Sequence, residues 1–201
     1  MKIPKKRIFA IFTSIILIAI LAVSMVGCGG PEEAEAKTIV KDLVESSLEL
    51  NEIYFGKKGL NYRDSGNPAE TYLPVLETEK YVFKSKLVEA TYKVFCEDYA
   101  DSVIKMAFSG AQSEINQNSV KSRFMLIGDD DWLYINKDYE YPIEHFTEYD
   151  FSTIKIDYIS GSFIDATIEG KRMTDKGYEN VTVDISLVNE DNGWRLQDAT
   201  Y

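Results

Sequence analysis

The sequence predicts an α+β domain, with N-terminal helices packed on a C-terminal antiparallel, curved β-sheet. Three observations lead there. Apolar residues between Glu35 and Phe108 recur at spacings of three and four, the period of a helix with one buried face. Beyond residue 119 the period drops to two: Val181, Val183, Ile185 and Leu187 fall on one face of a strand, and Thr182, Asp184 and Ser186 on the other. The turn sequences "GDDD" and "NEDNG" then join neighbouring strands as hairpins, and a run of strands after a run of helices is the α+β order.

Each element has its own signal. A first helix is expected from Glu35 to Tyr54, with Ile39, Leu43, Leu50 and Ile53 inward, flanked by Val40 and Val44. Acidic residues before it suit the positive end of the helix dipole, and Gly56 and Gly59 end it. Gly59 to Ala69 is rich in turn formers and reads as loop. Pro74 opposes a helix, so Thr71 to Glu77 reads as extended chain at a sheet edge. Ser85 is the expected N-cap of a helix over Lys86–Phe95, with Leu87, Thr91 and Val94 inward beside Val88 and Phe95. After a break at Cys96-Glu97, a further helix is expected over Asp98–Phe108, burying Tyr99, Val103, Ile104, Ala107 and Phe108. Ser109 to Ser119 is polar loop, and six segments of near-alternating pattern follow it.

The N-terminus sets location. Lys2, Lys5, Lys6 and Arg7 precede Ile8 to Val26, which carries no charge, as in a secretory signal. Met25-Val26-Gly27-Cys28 resembles a bacterial lipobox, with Met where Leu is commoner. That resemblance implies lipidation of Cys28 and cleavage before it, leaving the chain acylated on the outer face of the cytoplasmic membrane, and a composition rich in Lys, Ile, Tyr, Asn and Asp points to a Gram-positive cell. Several acyl chains hold where one does not, since each buried methylene adds about 0.8 kcal/mol. The alternative is an uncleaved anchor, for which Ile8 to Val26 is long enough. The expected organisation is signal peptide at 1–27, lipidated cysteine and tether at 28–37, and a single extracytoplasmic domain at 38–201.

Removing the leader takes away four basic residues and no acidic ones. It leaves 18 basic against 33 acidic residues and moves the net charge from −11 to −15. Such a surface repels nucleic acid and anionic lipid headgroups, and favours a cationic partner or plain solvation. With Cys28 taken by lipid, Cys96 has no partner for an intramolecular disulfide. Among apolar and aromatic neighbours, it reads as a small buried hydrophobe.

Tests for chemistry come out spare. His145 is the single histidine, so a nucleophile–histidine pair would have to use it and a histidine-rich zinc site is excluded by count. Asp129-Asp130-Asp131 lacks the alternating ligands and distal glutamate of an EF-hand and reads as a hairpin turn. No phosphate loop, GxSxG or dinucleotide fingerprint is present, so no cofactor, metal or catalytic residue is expected. A carboxylate pair stays open as the enzymatic alternative. "YPIEHFTEYDF", Tyr141 to Phe151, concentrates aromatics and reads either as a recognition loop or as core-covering packing. The candidate partner-binding residues are Asp129, Asp130, Asp131, Tyr141, His145, Phe146 and Tyr149.

The order of "YLPV", "FKSKLVEATYKVF", "DYADSVIKMAF", "RFMLIGDDDWLYIN" and a closing strand with "NGWRL" resembles the IseA-type inhibitors of bacterial cell-wall DL-endopeptidases. It is also similar to cystatin-like and nuclear-transport-factor-like α+β domains, over Thr38 to Tyr201. The resemblance implies an extracytoplasmic protein that blocks the cleft of a wall peptidase. The alternative is a small-ligand-binding lipoprotein with a pocket between sheet and helices.

Overall fold

The computed structural model describes residues 29–57, 59–110, 121–140, 143, 145–174, 176–191 and 193–201. Cys28, Tyr141 and the expected loop over 111–119 lie outside them. The fold is α+β, with antiparallel sheets of which one curls into a half-barrel.

Helix α1 spans Glu33–Phe55, two residues earlier than its apolar pattern suggests. The tether assigned to 28–37 is therefore helical from Glu33, and Ala36 is already fully buried. The buried stripe centres on Val40, Val44, Leu50 and Ile53, while Ile39 and Leu43 sit at its margin. Strand β1, Tyr72–Pro74, forms the expected sheet edge. Helix α2 spans Lys84–Val94 and α3 Glu97–Ser109. The inward residues expected of α2 (Leu87, Thr91 and Val94) are buried; α3 turns Ala100, Val103 and Ala107 inward, with Tyr99 and Phe108 beside them.

The strands divide between two sheets. Strands β2 (Phe124–Met125) and β3 (Tyr134–Asn136) join β1 in the order β1-β3-β2. The larger sheet holds β4 (Glu148–Tyr149), β5 (Lys155–Ile159), β6 (Phe163–Thr174), β7 (Gly177–Glu190) and β8 (Gly193–Leu196). Its order is β4-β6-β7-β8, with β5 also on β6. Both expected hairpins form, at β2–β3 and β7–β8. Along β6 and β7 the pattern of two turns Ile164, Ala166, Ile168, Ile185 and Leu187 inward onto the helices. Fully burying an aliphatic side chain of this size stabilises by about 1.5–3 kcal/mol, so this layer with Val40, Val44, Leu87 and Leu196 dominates the fold.

All three described helices lack a local side-chain cap at their N-termini. Partners distant in sequence stand in at three helix ends. The Asp131 carboxylate accepts from Ser85 N–H at 3.0 and 3.3 Å at the start of α2, so Ser85 is the capped residue and not the cap. The Glu190 carboxylate accepts from Glu97 N–H at 3.2 Å at the start of α3. At the end of α1, fully buried Arg123 donates from Nε to the Ile53 carbonyl and from Nη2 to that of Gly56, at 3.0 Å. A guanidinium there answers both unsatisfied carbonyls and the negative end of the dipole.

Two opposite ends follow from this layout. Gly30, just before α1, is pressed onto the β5–β6 turn: a Cβ built on it would lie 2.2 Å from the Ser160 carbonyl oxygen. The 23 residues of α1 then run about 34 Å, at about 1.5 Å per residue, to the small sheet and the β6–β7 tip.

Candidate functional site

The far end of α1 carries an open cleft of about 450 Å³. Leu48, Glu52 and Lys57 line it from the helix and the turn after it, and Met173 and Tyr178 from the β6–β7 hairpin. His145, Phe146, Thr147 and Glu148 close the third side. Within the segment "YPIEHFTEYDF", the described residues His145 to Glu148 face the cleft, whereas Ile143 and Tyr149 do not line it.

His145 is exposed. Phe146 is half-buried and meets Tyr201 edge-on, at 6.2 Å between ring centroids, and Tyr201 packs in turn on Phe55 at 5.3 Å. That stack fixes one wall of the cleft on the end of α1. Thr147 is buried, and its hydroxyl accepts from Arg172 Nε at 3.1 Å and Nη2 at 2.9 Å. The Tyr178 hydroxyl donates to Glu148 Oε1 at 3.4 Å, and Tyr178 is the most exposed large apolar side chain among the described residues, at 59%.

Tyr149 points elsewhere. Its hydroxyl donates to the Thr200 carbonyl at 2.7 Å, and burial pushes the phenol up to about 12. It holds the C-terminal tail and does not line this cleft. Strand β4, to which it belongs, escaped the sequence reading because two residues are too few to show a period of two.

The three aspartates sit at the β2–β3 turn and none of them lines the cleft. Asp131 caps α2, and Asp130 Oδ1 accepts from Trp132 N–H at 3.2 Å, leaving Asp129 exposed at the tip. Two of the three thus also hold backbone N–H groups of the fold. Among the described residues no group of three or more His, Cys, Asp or Glu side chains is placed to hold a metal ion.

Cys96 is buried at the α2–α3 junction, where its backbone N–H donates to the Leu196 carbonyl at 2.8 Å. Burial pushes its thiol above the ordinary range, so the nucleophilic thiolate is disfavoured. It belongs to a different part of the molecule from the cleft that holds His145.

Sequence reasoning missed Leu48, Glu52, Lys57, Met173 and Tyr178. Each is unremarked in its own segment, and only the packing of α1 against the β6–β7 hairpin makes them neighbours. No family model matches this chain, and comparison with curated proteins finds no match. No described helix is long and apolar enough to cross a membrane.

Proposed function

We propose that this chain is a lipid-anchored binding module on the outer face of the cytoplasmic membrane, and that its partner, most specifically a cell-wall DL-endopeptidase, docks on the far-end cleft. The observation that carries this reading is the position of the cleft. It lies at the end of α1 remote from Gly30, and so remote from the lipidated Cys28 two residues before it. A module hung from its N-terminus presents that end to the wall.

The lining suits protein contact. An exposed tyrosine beside a half-buried phenylalanine offers large, stiff apolar area, which dominates interface energetics. The net charge of −15 expected for the mature chain would steer a cationic partner towards it. The layer between α1 and the large sheet is filled by Val40, Val44, Ile164, Ile168 and Leu187, which favours surface contact over a small ligand held between sheet and helices.

The test is pull-down of purified DL-endopeptidases on the lipidated protein, paired with a peptidoglycan hydrolysis assay. Tyr178→Ser, at an exposed site, should weaken capture by about tenfold or more if the residue is a hot spot. Hydrolysis left undiminished at saturating protein removes inhibition from the proposal. Cys28→Ala should release the protein from membranes, whereas full retention would favour the uncleaved anchor.

A further inference from the structure

The end opposite the cleft carries a second surface. Ser160, Gly161 and Ser162 form the β5–β6 turn, flanked by Tyr158, 54% exposed, and Phe163, 44% exposed. Register places both rings on one face. Tyr158 pairs with Asp165, and Phe163 lies two residues before Asp165 on the same strand, while Ile159 and Ile164 turn to the core. Phe163 is opposite half-buried Val188 of β7, which extends the apolar strip.

Tyr158 is there because of a β-bulge. The register shifts between Ile156 and Tyr158, so Ile156 and Ile159 both face inward with two residues between them. Regular alternation from Ile156 would have sent Tyr158 into the core. A bulge that re-aims a large aromatic to the surface is a built feature of the strand.

From these observations we infer that the Tyr158–Phe163 face rests on the outer leaflet of the bilayer. This rests on the reading of Cys28 as the acylated residue. Gly30 is held against Ser160 and Ile159, and two residues of chain reach at most about 7 Å. The acylated cysteine therefore cannot carry the β5–β6 turn far from the lipid surface. The turn and its two aromatic flanks then lie at headgroup depth, where tyrosine and other amphipathic rings are favoured. Asp157, Asp165 and Glu33 are close by in sequence and register and resist burial, so the contact is shallow. The consequence is a fixed stance: α1 leads away from the membrane and lifts the far-end cleft by at most about 34 Å, the length of the helix, towards the wall.

Hydroxyl-radical footprinting of the acylated protein tests this, on phosphatidylcholine vesicles containing a minority of phosphatidylglycerol, with mass spectrometry of the peptides. Tyr158 and Tyr178 are the same residue type at similar exposure, 54% and 59%, so each sample carries its own reference. The expected result is loss of most modification at Tyr158 and Phe163, with Tyr178 still modified. Equal modification of Tyr158 and Tyr178 on protein that co-floats with vesicles overturns the resting face and leaves lipidation standing. A bare Cys28 in the mass spectrum, with no co-flotation, overturns lipidation itself and the inference with it. Protection that vanishes when the protein is diluted on the vesicles assigns the face to a second copy and also overturns the inference.

Discussion

Arg123 shows how much one side chain can carry. It is fully buried, yet its guanidinium serves two carbonyls at the end of α1 and lies 5.1 Å from the Tyr139 ring and 5.7 Å from that of Phe124. Two effects compete in Arg123→Met. Relief of a desolvated charge favours the variant; orphaned carbonyls and a lost charge at the negative helix end disfavour it. Hydrogen bonds to charged groups contribute about 1.5–3 kcal/mol each, so the loss wins and the variant should unfold about 2–4 kcal/mol more easily in urea. Arg123→Lys should recover only part, because an ammonium has no planar fork to span both acceptors. An unchanged midpoint for Arg123→Met would show the carbonyls to be satisfied without it. Gly59 is bound to the same arrangement: its φ is +37°, and a Cβ there would lie 2.3 Å from Arg123 Nη2.

At the scale of elements, the C-terminal tail is a fastening between α1 and β4. Thr200 is 1% exposed; its hydroxyl meets Ser47 Oγ at 2.5 Å and accepts from Asn51 Nδ2 at 2.9 Å, while its carbonyl accepts from Tyr149. Thr200→Val keeps the shape and strands the buried Asn51 amide, while the Ser47 hydroxyl keeps only its bond to the Val44 carbonyl. The expected cost is about 1–3 kcal/mol, read from thermal or urea unfolding, and a neutral result would mean that water takes the place of the hydroxyl. The helices themselves were legible as elements from their periodicity, because a buried stripe must repeat at 3.6 residues whatever it packs against. Their ends were less so. Ser85 looked like a cap, but Asp131 caps α2 from 46 residues away, and Glu190 serves α3 from 93 residues away. Such partners leave no local trace.

The whole molecule has a predictable alkaline limit. Burial raises the phenol pKa of Tyr54 and Tyr99 well beyond the usual range and that of Tyr149 to about 12. In the unfolded chain these groups ionise near pH 10. Between there and the folded values the native state holds protons that the unfolded state has released, so stability falls as pH rises. The urea midpoint should therefore hold up to about pH 10 and decline steadily above it. A flat midpoint to pH 12 would mean that these phenols ionise in place. Of the candidate site, His145 and Phe146 were legible as an aromatic segment beside the lone histidine. Tyr178 and Met173 were not, since a cleft made by two elements has no signature in either.

By itself the sequence determined the succession of helices and strands, the acidic charge and the signal-like leader. These depend on residue type and short-range period, which the chain carries everywhere. The tertiary structure alone decided the division into two sheets, the remote caps, the outward turn of Tyr158 and the cleft at the far end of α1. Each of these depends on which distant groups meet, and a hydrogen bond or a packed ring constrains positions in space without constraining the spacing between them along the chain.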